Sequence, residues 1–217
     1  MTKFIFVRHG ETEWNKAGRF QGQSDVSLSE KGFKQAEILA AHFPVDKVDA
    51  IYSSDLIRAR NTAEAIARTF KIEVQTKKEL RELHFGDWEG LTYNEIVGGW
   101  PDALANFLRH PDILEVPNGE TFSQVQDRAM AAIMEIAKHH EGETVVVTAH
   151  GGILRTVLTT VMHIPLRYLW SIRQFNTAVS IACYDEAGWI IELVNSTAHL
   201  EYLKQDETAP TAFPITH

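Results

Sequence analysis

Cysteine occurs once in the 217 residues, as Cys183, so no disulfide can form within the chain. Cys183 lies in an apolar, strand-like run and reads as a core residue. Long apolar runs are absent: none approaches the ~20 residues of a membrane-spanning helix. Positive charge is scarce, with 21 Lys and Arg against 29 Asp and Glu. The net charge of -8 argues against a nucleic-acid or anionic-membrane partner. An anionic ligand would need Arg and His gathered locally. Repeats, low-complexity segments and inter-domain linkers are also missing. The first residues run straight into a strand with no signal-peptide pattern, so the expectation is a cytoplasmic, soluble protein. The length suits one α/β domain with a sizeable core.

What is present is a repeated design. Residues 4–7 (Phe-Ile-Phe-Val) form a buried-strand run that stops at Arg8, His9 and Gly10. Residues 144–148 (Thr-Val-Val-Val-Thr) form another, followed by Ala149, His150, Gly151 and Gly152. In open α/β sheets, ligands bind where strands hand over to loops at their C-terminal ends. If the two strands are parallel neighbours, His9 and His150 meet in one crevice. A lone His at a strand end more often satisfies a nearby polar group. Two His-Gly strand ends, one led by Arg, favour a site.

The rest of the chain alternates. Ser29 reads as a helix N-cap, Phe33, Ala36, Ala40 and Phe43 recur at helical spacing, and Pro44 ends that helix. Residues 48–52 read as a second strand and Ser53, Ser54 and Asp55 as a turn and cap. Leu56, Ala59, Ala63, Ile66 and Phe70 make the inner face of the next helix, with Arg58 in its first turn. Residues 72–75 read as a third strand. This β-α-β-α-β order implies a mostly parallel sheet with right-handed crossovers. Residues 80–90 mix charged and aromatic side chains without a period and read as a loop near the site. Gly98, Gly99, Pro101, Pro111 and Pro117 break the following segment into short helical pieces, a lid over the sheet at about 86–120. Thr121 with Gln124 fits a capping box for a long helix whose inner face is Phe122, Val125, Ala129, Ile133 and Ile136. A helix over about 152–162 follows the 144–148 strand. Residues 178–184 and 189–194 form a hairpin at the sheet edge, one that a homodimer could use. Residues 1–203 make the single domain, and the Pro-containing tail, 204–217, is expected to be mobile.

These residues suit a phosphomonoester. Guanidinium groups grip phosphoryl oxygens, and Arg8 and Arg58 supply two from different strand ends. A neutral imidazole nitrogen of His9 can attack phosphorus. His150 can donate to the equatorial oxygens as charge builds. Glu82 leads as the acid that protonates the leaving alkoxide, with Glu89 as its rival. No clustered ligand set argues for a metal, and no cofactor is implied.

The pattern Arg8-His9-Gly10-Glu11-Thr12 with Asn15 resembles the signature of the histidine phosphatase superfamily, the phosphoglycerate mutase-like family. The resemblance continues through Gln21-Gly22 and Leu28-Ser29 with Gly32 and Gln35-Ala36. It runs on through Ser53-Ser54-Asp55-Leu56 with Arg58-Ala59 and Thr62-Ala63, Leu80-Arg81-Glu82, Phe85-Gly86 with Trp88-Glu89-Gly90, Gly119-Glu120-Thr121 and His150-Gly151-Gly152. Together these cover roughly residues 3 to 200. It implies a three-layer α/β/α sandwich with a mostly parallel central sheet and a small helical lid. It implies a phosphohistidine on His9, and phosphoryl binding by Arg8, Arg58, His150, Gly151 and Asn15. It implies transition-state stabilisation by His150 and general acid-base work by Glu82. Gln21 and Gly22 would lie on the substrate loop, and His84 is close enough to count as substrate-binding.

Within the family, a phosphatase and a cofactor-dependent phosphoglycerate mutase compete. From residue 83 to 127 the only Lys or Arg is Arg109, against Asp87, Glu89, Glu95, Asp102, Asp112, Glu115, Glu120 and Asp127. Such a lid fits one phosphate with a neutral remainder better than a polyanion, which favours metal-independent hydrolysis. The chain resembles the short broad-specificity and α-ribazole phosphatase branch. Trp88, Trp100 and Phe107 can serve as a wall that stacks a benzimidazole, though core packing is their commoner use; a sugar phosphate or phosphoserine also fits. A non-catalytic phospho-ligand binder is the reading of another class. It is disfavoured because Arg8, His9, Arg58, Glu82 and His150 are all in place.

Overall fold

The computed structural model describes residues 1–203; the tail expectation for 204–217 lies outside them. Six strands form one sheet: β1 Thr2–Arg8, β2 Ala50–Ser53, β3 Val74–Thr76, β4 Thr144–Ala149, β5 Val179–Asp185 and β6 Gly188–Ser196. Their order is β3-β2-β4-β1-β5-β6. The pairs β2–β3, β2–β4 and β1–β4 are parallel, while β1–β5 and β5–β6 are antiparallel. Each of β1, β2 and β4 is buried on both faces, as expected of parallel strands covered by helices.

The helices are α1 Glu13–Lys16, α2 Glu30–Ala41, α3 Ile57–Phe70, α4 Tyr93–Gly99, α5 Pro101–Arg109, α6 Phe122–His139 and α7 Gly151–Val161. On one face, Ile5, Val7, Ile51 and Val146 pack with Leu39 of α2 and Ala63 and Ile66 of α3. On the other, Phe4, Phe6, Tyr52, Val145 and Val147 pack with Phe122, Val125 and Ile133 of α6 and Ile153 and Val157 of α7. This is the three-layer sandwich, split by the alternation of side chains along each strand. Among the described residues no helix is long and apolar enough to cross a membrane.

Capping follows the sequence closely. Ser29 accepts the Gly32 N–H at 3.0 Å, and Thr121 with Gln124 makes the capping box of α6. Two local expectations fail. Asp55 does not cap α3; Ser54 Oγ accepts the Leu56 N–H instead, and Asp55 forms a two-pronged ion pair with Arg81. Phe33 is 42% exposed, because the buried stripe of α2 runs through Gly32, Ala36 and Leu39. Strand ends move by one or two residues, most visibly for β3. The 86–120 segment is the run of short helices expected of it, α4 and α5 followed by a 3₁₀ turn at Pro111–Ile113. Of its aromatic side chains Trp88 is fully buried, Trp100 and Phe107 pack partly buried against the core with the Phe107 ring 4.7 Å from Trp170, and Tyr93 is exposed.

Candidate active site

Parallel pairing of β1 and β4 sets Arg8 opposite Ala149, so the next residue on each strand is a histidine. The His9 N–H donates to the Ala149 carbonyl at 3.0 Å, and the rings of His9 and His150 lie 5.2 Å apart. Arg58 arrives from the first turn of α3, and Glu82 from the loop after β3. All five groups (Arg8, His9, Arg58, Glu82 and His150) are buried.

The His9 tautomer follows from one contact. Its Nδ1 is 2.7 Å from the Gly10 carbonyl oxygen, which can only accept, so Nδ1 carries the proton and the Nε2 lone pair is free. Desolvation, then the charges of Arg58 and Arg8, hold His9 well below the ordinary imidazole range. Desolvation and then Arg58 do the same to His150. Both rings are therefore neutral at pH 7.

Arg8 is anchored by Nη1 donating to the Gln174 carbonyl at 2.5 Å. Arg58 uses Nη1 and Nη2 on the Ser24 and Gly22 carbonyls, both at 2.7 Å. Burial lowers each guanidinium to about 10, partly offset by Glu82, so both stay charged at neutral pH. The Nε of Arg8, the Nε of Arg58 and both ring nitrogens of His150 are buried without a partner among the described residues. Buried donors of this kind are satisfied in nearly all proteins, so the set calls for the oxygens of an anion.

Glu82 is held by backbone. Its Oε2 accepts the Gly152 N–H at 2.8 Å, and Oε1 accepts those of Ile153 at 2.9 Å and Leu83 at 3.0 Å. Its own carbonyl accepts from Arg128 Nη2 at 2.9 Å. Glu89, the rival carboxylate, is occupied with the loop around residue 23. It accepts from the Gln23 N–H at 2.8 Å, Ser24 Oγ at 2.6 Å and the Phe85 N–H at 3.2 Å. A Cβ on Gly22, whose φ is +52°, would fall 2.1 Å from Glu89 Oε1, so loop and carboxylate fit only with glycine there.

The remaining expected residues are distributed around this centre. Gln21 is buried and its Oε1 accepts from Thr12 Oγ1 at 3.0 Å. Asn15 closes the capping box of α1, its Oδ1 accepting the Thr12 N–H at 3.1 Å, which directs its amide nitrogen elsewhere. Gly151 opens α7, flanked by Arg155 Nη1 and Arg8 Nε at 3.2 and 3.3 Å from where its Cβ would stand. His84 stays 43% exposed at its side chain, with Nε2 3.7 Å from Glu89. Arg60 pairs with Glu64 on the surface, apart from these groups.

Four residues near the centre escaped the sequence reading. Arg155 stands beside Gly151 with Nε on the Ile172 carbonyl, and burial followed by the Arg8 charge lowers it to about 9. Its place one helical turn after Gly151 was a usable signal. Arg128 ties together the carbonyls of Glu79, Arg81 and Glu82. Gln174 and Asn176 reach Arg8 and His9 only because β5 folds back beside β1, which no local pattern announces.

A sandwich with two neutral histidines, two buried arginines and a held carboxylate at the strand ends makes a pocket fitted to an anion, and the relatives place the chain among phosphoric monoester hydrolases. A sequence profile described as histidine phosphatase superfamily (branch 1) matches residues 4–197, and the chain belongs to that family. It is 39% identical over 203 residues to a metal-independent phosphoserine phosphatase of Arabidopsis thaliana, covering 92% of this chain and 84% of that one. The solved structure of YhfR from Bacillus stearothermophilus superposes with a TM-score of 0.88 at 36% identity, over 92% of this chain and 100% of that one. An Entamoeba histolytica phosphoserine phosphatase mutant in complex with phosphoserine gives 0.84 at 30% identity, with the same coverages.

Proposed function

We propose that the protein is a metal-independent phosphatase acting on small, polar phosphomonoesters of the phosphoserine kind through a phosphohistidine on His9. The observation that carries this is the His9 ring: Nδ1 is pinned to the Gly10 carbonyl, and burial keeps the ring neutral beside two arginines. Its Nε2 attacks phosphorus as the ester P–O bond breaks. Glu82, protonated, gives its proton to the leaving alkoxide. Arg8, Arg58, His150 and the Asn15 amide hold the three equatorial oxygens. In the second half, Glu82 takes a proton from water as that water attacks phosphorus, freeing inorganic phosphate and His9.

Two observations support the substrate class. Two of the relatives above are named for phosphoserine, and of the aromatic side chains that were to stack a benzimidazole Trp88 is fully buried while Trp100 and Phe107 pack, partly buried, against the core. The acidic 83–127 segment still argues against a polyanionic mutase substrate.

The test is an assay with chelator present, comparing p-nitrophenyl phosphate, O-phosphoserine, 3-phosphoglycerate and α-ribazole phosphate. Phosphate release is expected, with the highest kcat/KM on O-phosphoserine, and none from His9→Ala. Conversion of 3- to 2-phosphoglycerate without release would overturn the hydrolase reading; a clear preference for α-ribazole phosphate would overturn the substrate class.

A further inference from the structure

The segment joining α7 to β5 wraps the backbone that carries the nucleophile. The Arg8 N–H donates to the Ala178 carbonyl at 3.2 Å, and the Thr177 N–H donates to the carbonyls of Arg8 at 3.0 Å and His9 at 3.3 Å. Thr177 adopts a left-handed conformation, φ 55°, which costs a β-branched residue about 1–2 kcal/mol. Strain of that kind persists where the surroundings over-determine it, and here it turns Asn176 inward.

Asn176 is 5% exposed. Its Nδ2 donates to the His9 carbonyl at 3.0 Å and to Asn15 Oδ1 at 3.2 Å. One amide group thus uses both its hydrogens on two residues of the phosphoryl site. The Asn176 carbonyl is itself held by Thr177 Oγ1 at 2.7 Å, and that hydroxyl meets His199 Nε2 at 3.0 Å. The amide therefore projects from a backbone fixed on both sides. An asparagine needed only to hold its own loop would bond within the loop; this one bonds across to β1 and α1.

We infer that Asn176 is a positioning residue for phosphoryl recognition, acting through His9 and Asn15. Fixing the Asn15 oxygen turns the Asn15 Nδ2 into the outward donor. Fixing the His9 carbonyl sets the direction of the ring that Gly10 then locks. The inference rests on the phosphatase reading for its chemistry, but its binding consequence can be read without turnover. Displacements of about 1 Å at such positions cost on the order of 100-fold in rate.

The experiment is a double-mutant cycle on the full chain: Asn15→Ala, Asn176→Ala and the pair. Binding of inorganic phosphate is read by calorimetry, Tm by scanning calorimetry and turnover with p-nitrophenyl phosphate. Each single change is expected to weaken phosphate about tenfold, with the pair no more than about threefold worse than either. Asn176→Ala is expected to lower kcat about 100-fold with a smaller change in KM. Asn176→Leu keeps the approximate size and removes the donors without adding a charge, so it is expected to match Asn176→Ala and guards against a folding defect. Losses that multiply to about 100-fold in the pair, or variants that shift Tm alone, would overturn the inference. A wild-type protein that binds phosphate but hydrolyses nothing would sink the hydrolase reading and leave the cycle readable; one that binds no phosphate would sink both.

Discussion

Glu82 and Gly152 are fitted to one another: Oε2 accepts the Gly152 N–H at 2.8 Å, while Oε1 lies only 2.6 Å from where a Gly152 Cβ would stand. The helix that fixes the carboxylate begins one residue after His150, so the proposed proton donor and the proposed phosphoryl-binding ring share one rigid part. Gly152→Ala keeps the N–H and adds a methyl group where the carboxylate sits. The expected result is a loss of about 1–3 kcal/mol in stability and a larger proportional loss of kcat than of phosphate affinity. Thermal unfolding together with steady-state kinetics checks it; unchanged kcat would mean that the carboxylate position is not critical.

Glu82→Gln separates the proton from the geometry. The amide oxygen can still accept the Ile153 and Leu83 N–H groups, at the cost of turning its NH2 toward the Gly152 N–H, but it cannot supply a proton. The expected loss in kcat is 10²- to 10⁴-fold on an alkyl phosphate. On p-nitrophenyl phosphate, whose leaving group needs little protonation, the loss is expected to be much smaller. Equal losses on both substrates would remove Glu82 from the acid role and leave it a holding residue.

The part of the site that the sequence displayed is the part built at strand ends. Arg8 and His9, and His150 with its glycines, stand directly after β-branched runs, so their place was legible once the strands were taken as parallel neighbours. Glu82 sits in a stretch without periodicity, and the family resemblance ranked it above Glu89; its capping of α7 across 70 residues leaves no local trace. The aromatic residues took the commoner of the two uses weighed for them, for a physical reason. A loop rich in Trp and Phe looks like a wall, but Phe20, Phe85, Trp88 and Phe107 meet edge to face around one another and form core. Phe33 was assigned to a face by spacing alone; Ala36 and Ala40 of the same face are buried as expected, but Gly32 takes the inward place instead of Phe33. Asn176 and Gln174 depend on antiparallel β5, whose partner strand cannot be read from its own residues.

Stability should fall in acid through histidines that burial keeps neutral. His199 is lowered to about 4 by burial and by His42, and His9 and His150 lie well below their ordinary value. The unfolded chain binds these protons near pH 6.5 and the folded one does not, so stability is complete above about 6.5 and declines below it. His199 alone contributes about 1.4 kcal/mol per pH unit between 6.5 and its folded value. Denaturant unfolding from pH 7.5 to 4.5 is expected to show this decline, with a shallower slope in His199→Gln. An identical slope in the variant would show that His199 titrates alike in both states.

Arg58 holds a loop and is proposed to hold the phosphoryl group as well, and one substitution can separate the two. Its Nη atoms hold the Gly22 and Ser24 carbonyls, while its Nε has no partner among the described residues. Lysine keeps the charge but offers a point donor in place of a fork, so Arg58→Lys cannot span both carbonyls and an anion together. The expected outcome is a fall in kcat/KM of about 100-fold or more. With it should come faster hydrogen exchange at the Gln23 and Ser24 amides, whose acceptors are Glu89 and the Gln21 carbonyl. A fall in kcat/KM with exchange unchanged would assign Arg58 to the phosphoryl group alone and leave the loop to Glu89. Faster exchange with kcat/KM intact would mean that Arg58 serves the loop and that Arg8 carries the anion.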